Sequence, residues 1–298
     1  MNNRVTVLIC TYNRGSLIND TLDSLINHQT NSPDEIVVVN GGGELNCSST
    51  LEKWKARFSS LKVINTENKN LSCSRNVGLH HCTGDLILQT DDDARPFPDW
   101  IEKMIYYHIK YPKVGVLGGN VIDYNDDKII EKIADLITFP YYPNEMYVRS
   151  VAGVNCSYKK DVIMQVGEYD EDLFRGEDVD YNWRALLCGW KVLAIPDIKV
   201  YHINRPNWMG LFNQQFMYGR AHYLVSKKWP EMYSHYPRKI QSIKSLLKWI
   251  ASWTIIPFDD SIRKTNGYNM QINGFDILII FFINIINRVG TMYQRCFR

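Results

Sequence analysis

Strand-like and helix-like patterns alternate without a break through the first 111 residues, and that rhythm leaves few folds open. Residues 5–10, 35–39, 61–65 and 85–90 read as strands, each an apolar or β-branched run. Residues 16–29, 51–58, 72–81 and 99–111 read as helices, with Ser72 and Asp99 placed to cap the last two. The run Ile36-Val37-Val38-Val39 has no polar alternation, as expected of a strand covered on both faces. Strand–helix–strand units of this length build parallel sheets with right-handed crossovers. The chain is therefore expected to form a Rossmann-like, mostly parallel α/β sheet flanked by helices. Ligands of such sheets bind beyond the carboxyl ends of the strands, where Thr11, Asn13, Asn40 and Asp91 fall.

The pattern changes in the second half. Residues 114–122 and 154–158 read as strands, 160–166 and 177–188 as helices, and Gly189 ends the latter. The Tyr- and Pro-rich stretch 123–150 is expected to be irregular. Residues 191–195 and 199–203 read as two strands on either side of Pro196. Beyond His202 only helical patterns remain, over 208–228, 238–253 and 275–295. This places a sheet domain over 1–205 and a helical C-terminal extension over 206–298. Charge divides at nearly the same point: residues 1–200 carry 21 Lys and Arg against 28 Asp and Glu, and residues 201–298 carry 13 against 4. Basic, Trp-bearing helices suit anionic lipid headgroups. Segments 227–258 and 275–290 either pack on the core with a solvated basic face or meet an anionic membrane surface, and no nucleic-acid partner is expected. Lys227, Lys228, Arg238, Lys239, Lys244 and Lys248 interleave there with Trp229, Trp249 and Trp253, while Ile240, Ile243, Leu247 and Ile250 share one helical face. The apolar run 275–289 is interrupted by Asp276, Asn284, Asn287 and Arg288 and falls short of the about 20 apolar residues of a spanning helix. A buried or interfacial helix is expected. Seven widely spaced cysteines with no CxxC pair suit free thiols in a reducing cytosol.

Chemistry concentrates at a few points. Asp91, Asp92 and Asp93 follow directly on a strand. Crowded carboxylates repel one another unless a cation or hydrogen-bond donors offset the repulsion, and hard oxygen ligands suit magnesium or manganese. Glu177 and Asp178 open a helix, where the macrodipole favours acidic groups and where a carboxylate can serve as a general base. His202 ends a strand and is a candidate third ligand. Arg75 stands in the first turn of a helix, placed to pair with the aspartates or with a phosphate. Asn40-Gly41-Gly42-Gly43-Glu44 lets backbone approach a ligand but is no dinucleotide fingerprint.

In this order and spacing, Thr11-Tyr12-Asn13-Arg14, Asn70-Leu71-Ser72-Cys73-Ser74-Arg75-Asn76-Val77-Gly78, Thr90-Asp91-Asp92-Asp93, Gly153-Val154-Asn155-Cys156, Gly176-Glu177-Asp178 and Tyr201-His202 resemble the inverting family 2 glycosyltransferases with the GT-A fold. The likeness covers about residues 4–205. It implies a nucleotide-sugar donor, a glycan or lipid-linked glycan acceptor, and Mg2+ or Mn2+ as cofactor. The basic, Trp-rich tail region adds the expectation of a lipid-linked acceptor in cell-surface polysaccharide assembly, in the cytoplasm or peripheral to the inner face of the membrane. Carried over residue by residue, the likeness implies Asp178 as catalytic base. Glu177, Trp183 and Asn155 would meet the acceptor, and Asp93 and His202 would hold the metal. Thr11, Asn13, Arg14, Asn40, Arg75, Asp91 and Asp92 would hold the donor. Two positions depart from the family pattern: Asn40 where an aspartate is common, and Asn70 where a glycine is common. The rival readings are a sugar nucleotidyltransferase, for which residues 11–17 make a poor phosphate loop, and a non-catalytic sugar-nucleotide or glycan-binding protein.

Overall fold

In the computed structural model the described residues are 4–43, 47–124, 129–203, 207–232, 242–253, 255, 258–259, 262 and 274–297. Glu44 of the glycine loop, residues 125–128 of the Tyr/Pro stretch, residues 204–205 at the expected domain boundary, and Arg238, Lys239 and Ile240 of the basic helix lie outside them, as do the side chains of Ile250 and Trp253.

Among the described residues nine strands form one mixed sheet: β1 (Val5–Thr11), β2 (Glu35–Asn40), β3 (Leu61–Asn65), β4 (Leu86–Asp91), β5 (Ala94–Pro96), β6 (Val114–Asp123), β7 (Met146–Tyr147), β8 (Cys156–Lys159) and β9 (Lys191–His202). The order is β3-β2-β1-β4-β8-β6-β9-β5, with β7 also on β9. Strands β1 to β4 pair in parallel, as the crossover rhythm requires. Strand β8 inserts antiparallel between β4 and β6, and β6 and β9 are again parallel. All six residues of β2 are buried, which accounts for its unbroken apolar run.

Helices α1 (Ile18–Ile26), α2 (Ser48–Arg57), α3 (Leu71–His81) and α4 (Trp100–Lys110) supply the crossovers of the first half. In the second half α6 (Lys160–Val166) and α7 (Glu177–Leu187) pack with α3 on one face of the sheet, over Val116, Cys156, Tyr158 and Val192. Ser157 alternates with Cys156 and Tyr158, so it points to the other face. There it meets His108 at 2.8 Å and Met104 at 3.2 Å on α4.

The structure corrects several local expectations. The stretch 123–150 is not wholly irregular, because α5 (Ile129–Thr138) forms within it. Its Ile130, Ile133, Ala134 and Ile137 repeat at helical spacing and are buried against Leu211, Ile280 and Ile283. The surrounding Tyr and Pro residues mask that periodicity in the sequence. The two strands expected around Pro196 are one, β9, with a register shift against β6 between Gly119 and Asn120. A proline is tolerated within a strand at such an irregularity. Helix α3 is capped by Asn70, not Ser72: the Asn70 side chain accepts from Cys73 N at 2.9 Å and donates to Glu171 O at 2.8 Å. The Ser72 hydroxyl instead donates to Leu173 O at 2.8 Å. Asp99 makes no capping bond and pairs with Lys103 at 2.8 Å. Removing the real cap by Asn70→Ala is expected to cost about 1 kcal/mol, read as a lower urea midpoint at unchanged slope. An effect no larger than that of Ser72→Ala would overturn the assignment.

Two compact units emerge, Met1–Tyr124 with Tyr142–Ile203, and Asn125–Tyr141 with Asn204–Arg298. The first holds the sheet. The second holds α5, α8 (Trp208–Lys228), α9 (Ile243–Trp253) and α10 (Gly274–Phe297). Helix α5, expected with the sheet domain, thus groups with the C-terminal helices that cover its apolar face. At 24 residues α10 is also longer than the apolar run suggested, and by length and composition alone it is long and apolar enough to cross a membrane. All seven cysteines are free.

Candidate active site

The sheet's carboxyl ends gather the expected residues. Register places Cys10 beside Asp91 and Thr11 beside Asn40. The acidic turn after β4 runs straight into β5, which pairs antiparallel with β9 so that Ala94 faces His202. Ile203 N donates to Asp93 O at 3.1 Å, locking that return. Residues 109 positions apart in sequence therefore meet: His202 Nε2 lies 3.3 Å from Asp93 Oδ1. One ligand atom from each of Asp91, Asp93 and His202 falls within 4.8 Å of the others. Asp91 thus groups with Asp93 and His202, beyond the donor contact expected of it. Two carboxylates and an imidazole form a donor set suited to a divalent cation.

Arg14 leans over the same turn, 2.9 Å from Asp93 Oδ2 and 3.7 Å from Asp92 Oδ1. Its positive charge offsets part of the repulsion within the trio. Asp92 is buried and accepts from the Thr11 hydroxyl at 2.6 Å. Burial, reinforced by the charges of Asp93 and Asp91, pushes the Asp92 carboxyl up to about 7. Asp92 and the Thr11 hydroxyl are thus engaged with each other, tying β1 to the acidic turn. Neither side chain is open to a donor as expected.

Asn40 is also diverted. It is buried, its Nδ2 donates to Asn65 Oδ1 at 2.9 Å, and its Oδ1 accepts from Gly42 N at 3.0 Å. An amide has both functions and can brace a strand end and a turn at once, which a carboxylate cannot. The braced loop bonds to the one after β1 through Gly41 N to Thr11 O at 2.8 Å and Asn13 N to Gly42 O at 2.9 Å. Asn13 itself is exposed, with a left-handed φ of 56°.

Arg75 is the hinge of the site. Its guanidinium is buried, binds the Glu177 carboxylate through Nη1, and reaches Asp91 Oδ1 through Nη2 at 3.8 Å. Its charged end lies 5.5 Å from the Tyr169 ring centroid. Burial works against the charge of Arg75, but Glu177, Tyr169, Asp91 and Asp178 outweigh it and raise its pKa well above the usual value. Burial raises Asp91 and Glu177, and Arg75 opposes the rise in both. Enclosed in this way, Arg75 bridges acidic groups and is not placed to hold a phosphate. Glu177 faces Arg75 rather than an open acceptor site.

Asp178 follows Glu177 and is only partly buried. Gly176 enters α7 with φ +77°, a left-handed turn that glycine adopts without strain. Asp178 Oδ2 then accepts from Gly153 N at 2.9 Å and Oδ1 from Val179 N at 2.8 Å. Gly153 has no room for a side chain, since a Cβ there would stand 2.7 Å from Arg75 Nη2. Gly153 belongs to the Gly153-Val154-Asn155-Cys156 motif read in the sequence, but nothing local there marks its N–H as the partner of Asp178. Asn155, expected on the acceptor side, is fully buried in packing: it accepts from Trp100 Nε1 at 2.8 Å and donates to Asn120 O at 2.9 Å and Ile198 O at 3.1 Å. Trp183 lies on α7, partly buried, and its indole Nε1 is enclosed with no hydrogen-bond partner among the described residues.

Known proteins are similar in both sequence and fold. The chain is 30% identical over 193 residues to a glucosyl-dolichyl phosphate glucuronosyltransferase of Haloferax volcanii, covering 59% of this chain and 58% of that one. It is 27% identical over 222 residues to glycosyltransferase AglE of the same organism, covering 73% and 72%. A poly-beta-1,6-N-acetyl-D-glucosamine synthase of Staphylococcus aureus is 25% identical over 224 residues, covering 73% of this chain and 54% of that one. The chain thus spans little more than half the length of two of these relatives. Among solved structures, the mannosyltransferase PcManGT from Pyrobaculum calidifontis, in complex with GDP-Man and Mn2+, superposes with a TM-score of 0.69 at 17% identity, covering 99% of this chain and 88% of that one, which shows a shared GT-A fold. The profile described as glycosyl transferase family group 2 matches residues 86–286. The profile of glycosyl transferase family 2 matches residues 6–160, more than half of the chain, and the chain belongs to that family.

Proposed function

We propose that this chain transfers a sugar from a nucleoside-diphosphate donor to an acceptor hydroxyl, inverting the anomeric configuration. The observation that carries this reading is the single guanidinium of Arg75, in reach of both Asp91 and Glu177. Through it the first turn of α7, and with it Asp178, stands beside the group formed by Asp91, Asp93 and His202. Asp178 accepts the proton of the acceptor hydroxyl as its oxygen bonds to the anomeric carbon. The bond from that carbon to the diphosphate oxygen breaks, and its electron pair leaves with the diphosphate. Attack from the opposite side in one displacement inverts the centre.

Asp91, Asp93 and His202 would hold Mg2+ or Mn2+, and such a cation, when bound, offsets charge on the leaving diphosphate. Exposed Asn13 and the backbone of the joined glycine loops supply donor contacts. Arg14 balances the charge of the acidic turn. Trp183, on the same helix as Asp178, is proposed on the acceptor side. A lipid-linked glycan is the acceptor class favoured by the basic C-terminal helices and by the glucosyl-dolichyl phosphate in the name of one relative. The corresponding location is the cytoplasmic side of a membrane, in polysaccharide or glycan assembly.

The test is a panel of sugar nucleotides screened by thermal shift with Mn2+, since a ligand that prefers the native state raises the melting point. Transfer from the best donor is then followed with and without EDTA. Loss of transfer on chelation, recovery on adding Mn2+ or Mg2+, and an inverted product by NMR are expected. Transfer that persists without metal would remove the cation from the proposal, and a product of retained configuration would remove the single displacement.

A further inference from the structure

Helix α10 is apolar on two sides. One side carries Ile280 and Ile283, buried with Leu211 and α5. The other carries Leu278, Phe282, Val289 and Phe297, all between 45% and 73% exposed. At 100° per residue these four fall within one arc, rotated away from Ile280 and Ile283. A helix that buries one apolar face and exposes a second is expected of a chain that meets a partner more apolar than water. Helix α9 has the same character on a smaller scale. Its Ile243, Leu246 and Leu247 share an i, i+3, i+4 face and are exposed, and Lys244 and Lys248 flank that face. Apolar side chains edged by lysines match the boundary between acyl chains and anionic headgroups.

By length α10 could cross a bilayer, but its packing argues otherwise. It lies against α8 with backbone in contact with backbone: a Cβ on Gly219 would stand 1.7 Å from Asn287 O, and one on Gly290 2.0 Å from Phe216 O. Thr291 Oγ1 also donates to Gly219 O at 2.9 Å, and Arg220 to Gln294 Oε1 at 2.8 Å. A spanning α10 would carry α8 with it. Helix α8 holds Asn213, Gln214, Gln215, Arg220, His222 and Ser226 before ending in Lys227 and Lys228. Charged groups at the bilayer centre are costly.

We infer that the C-terminal unit is a monotopic membrane seat, with the outer face of α10 and the apolar face of α9 lying in the plane of an anionic leaflet and neither helix crossing it. This deepens the proposed use of a lipid-linked acceptor, but its test reads binding without turnover, so either can fail alone.

The test is flotation of the full chain with preformed vesicles of phosphatidylcholine, with and without phosphatidylglycerol. The wild type is expected to float with the anionic vesicles. Leu278→Glu, Phe282→Glu and Val289→Glu together should abolish flotation on either vesicle. Lys244→Glu with Lys248→Glu should lose the preference for phosphatidylglycerol. Circular dichroism confirms that each variant is folded; if the triple variant is not, Phe282→Glu alone is used and should weaken flotation. Undiminished flotation of a folded variant of the α10 face overturns the assignment. So does an apolar face covered by a second copy of the chain, seen as a lipid-free dimer that the same substitutions dissociate. A protease added outside should remove an epitope tag placed after Arg298. A tag protected until detergent is added would overturn the in-plane arrangement.

Discussion

Asp178→Asn is expected to lower turnover by about 10²–10⁴-fold, the usual range for loss of a general base, while the donor still raises the melting temperature as in the wild type. The substitution keeps the size of the side chain and removes its capacity to take a proton. Geometry adds to the effect. Asp178 accepts one backbone N–H on each oxygen, from Gly153 and Val179. An amide offers one acceptor oxygen and two donors, so only one of these bonds survives. Initial rates at saturating donor and acceptor, paired with donor titration by thermal shift, separate chemistry from binding. A variant with near-normal turnover would take the base role away from Asp178. A variant that is inactive because it no longer binds donor would place Asp178 on the donor side.

Arg75→Met is expected to destabilise the protein by about 3–5 kcal/mol, the cost of leaving a buried carboxylate without its partner. Glu177 is buried against Arg75, away from solvent. Pairing the change with Glu177→Leu should recover most of the stability, because two apolar groups of similar volume leave no unpaired charge behind. Activity should not recover with it, since nothing would then hold the start of α7 to Asp91. Urea denaturation of the two variants, with turnover measured on each, checks both statements. A single variant that loses less than about 1 kcal/mol would mean that Glu177 finds water or another donor, and that the bridge is not structural.

What could be read in the sequence followed period and order. The strands β1 to β4 and their crossover helices were legible because each is long and strictly patterned. The acidic turn, the Glu177-Asp178 pair and His202 were legible because their types and spacing are uncommon. What failed was the assignment of polar residues to ligand or frame. Thr11, Asn40, Asp92 and Asn155 all stand at or near strand ends, where a ligand would bind, yet each is bonded inward. A buried polar group needs a partner, and whether that partner is substrate or protein depends on neighbours 25 to 81 positions away. Such distances leave no local trace. Helix α5 was hidden for a related reason: the surfaces that bury its isoleucines lie on helices much later in the chain.

That late partnership governs how the protein can be dissected. A fragment ending after β9 would keep every carboxylate and imidazole of the candidate site, yet it would retain α5 without the helices that shield Ile130, Ile133 and Ile137. The unclothed helix would present a greasy strip to solvent and invite clumping. A workable minimal catalyst would need the 125–141 excursion excised along with the tail, or both retained.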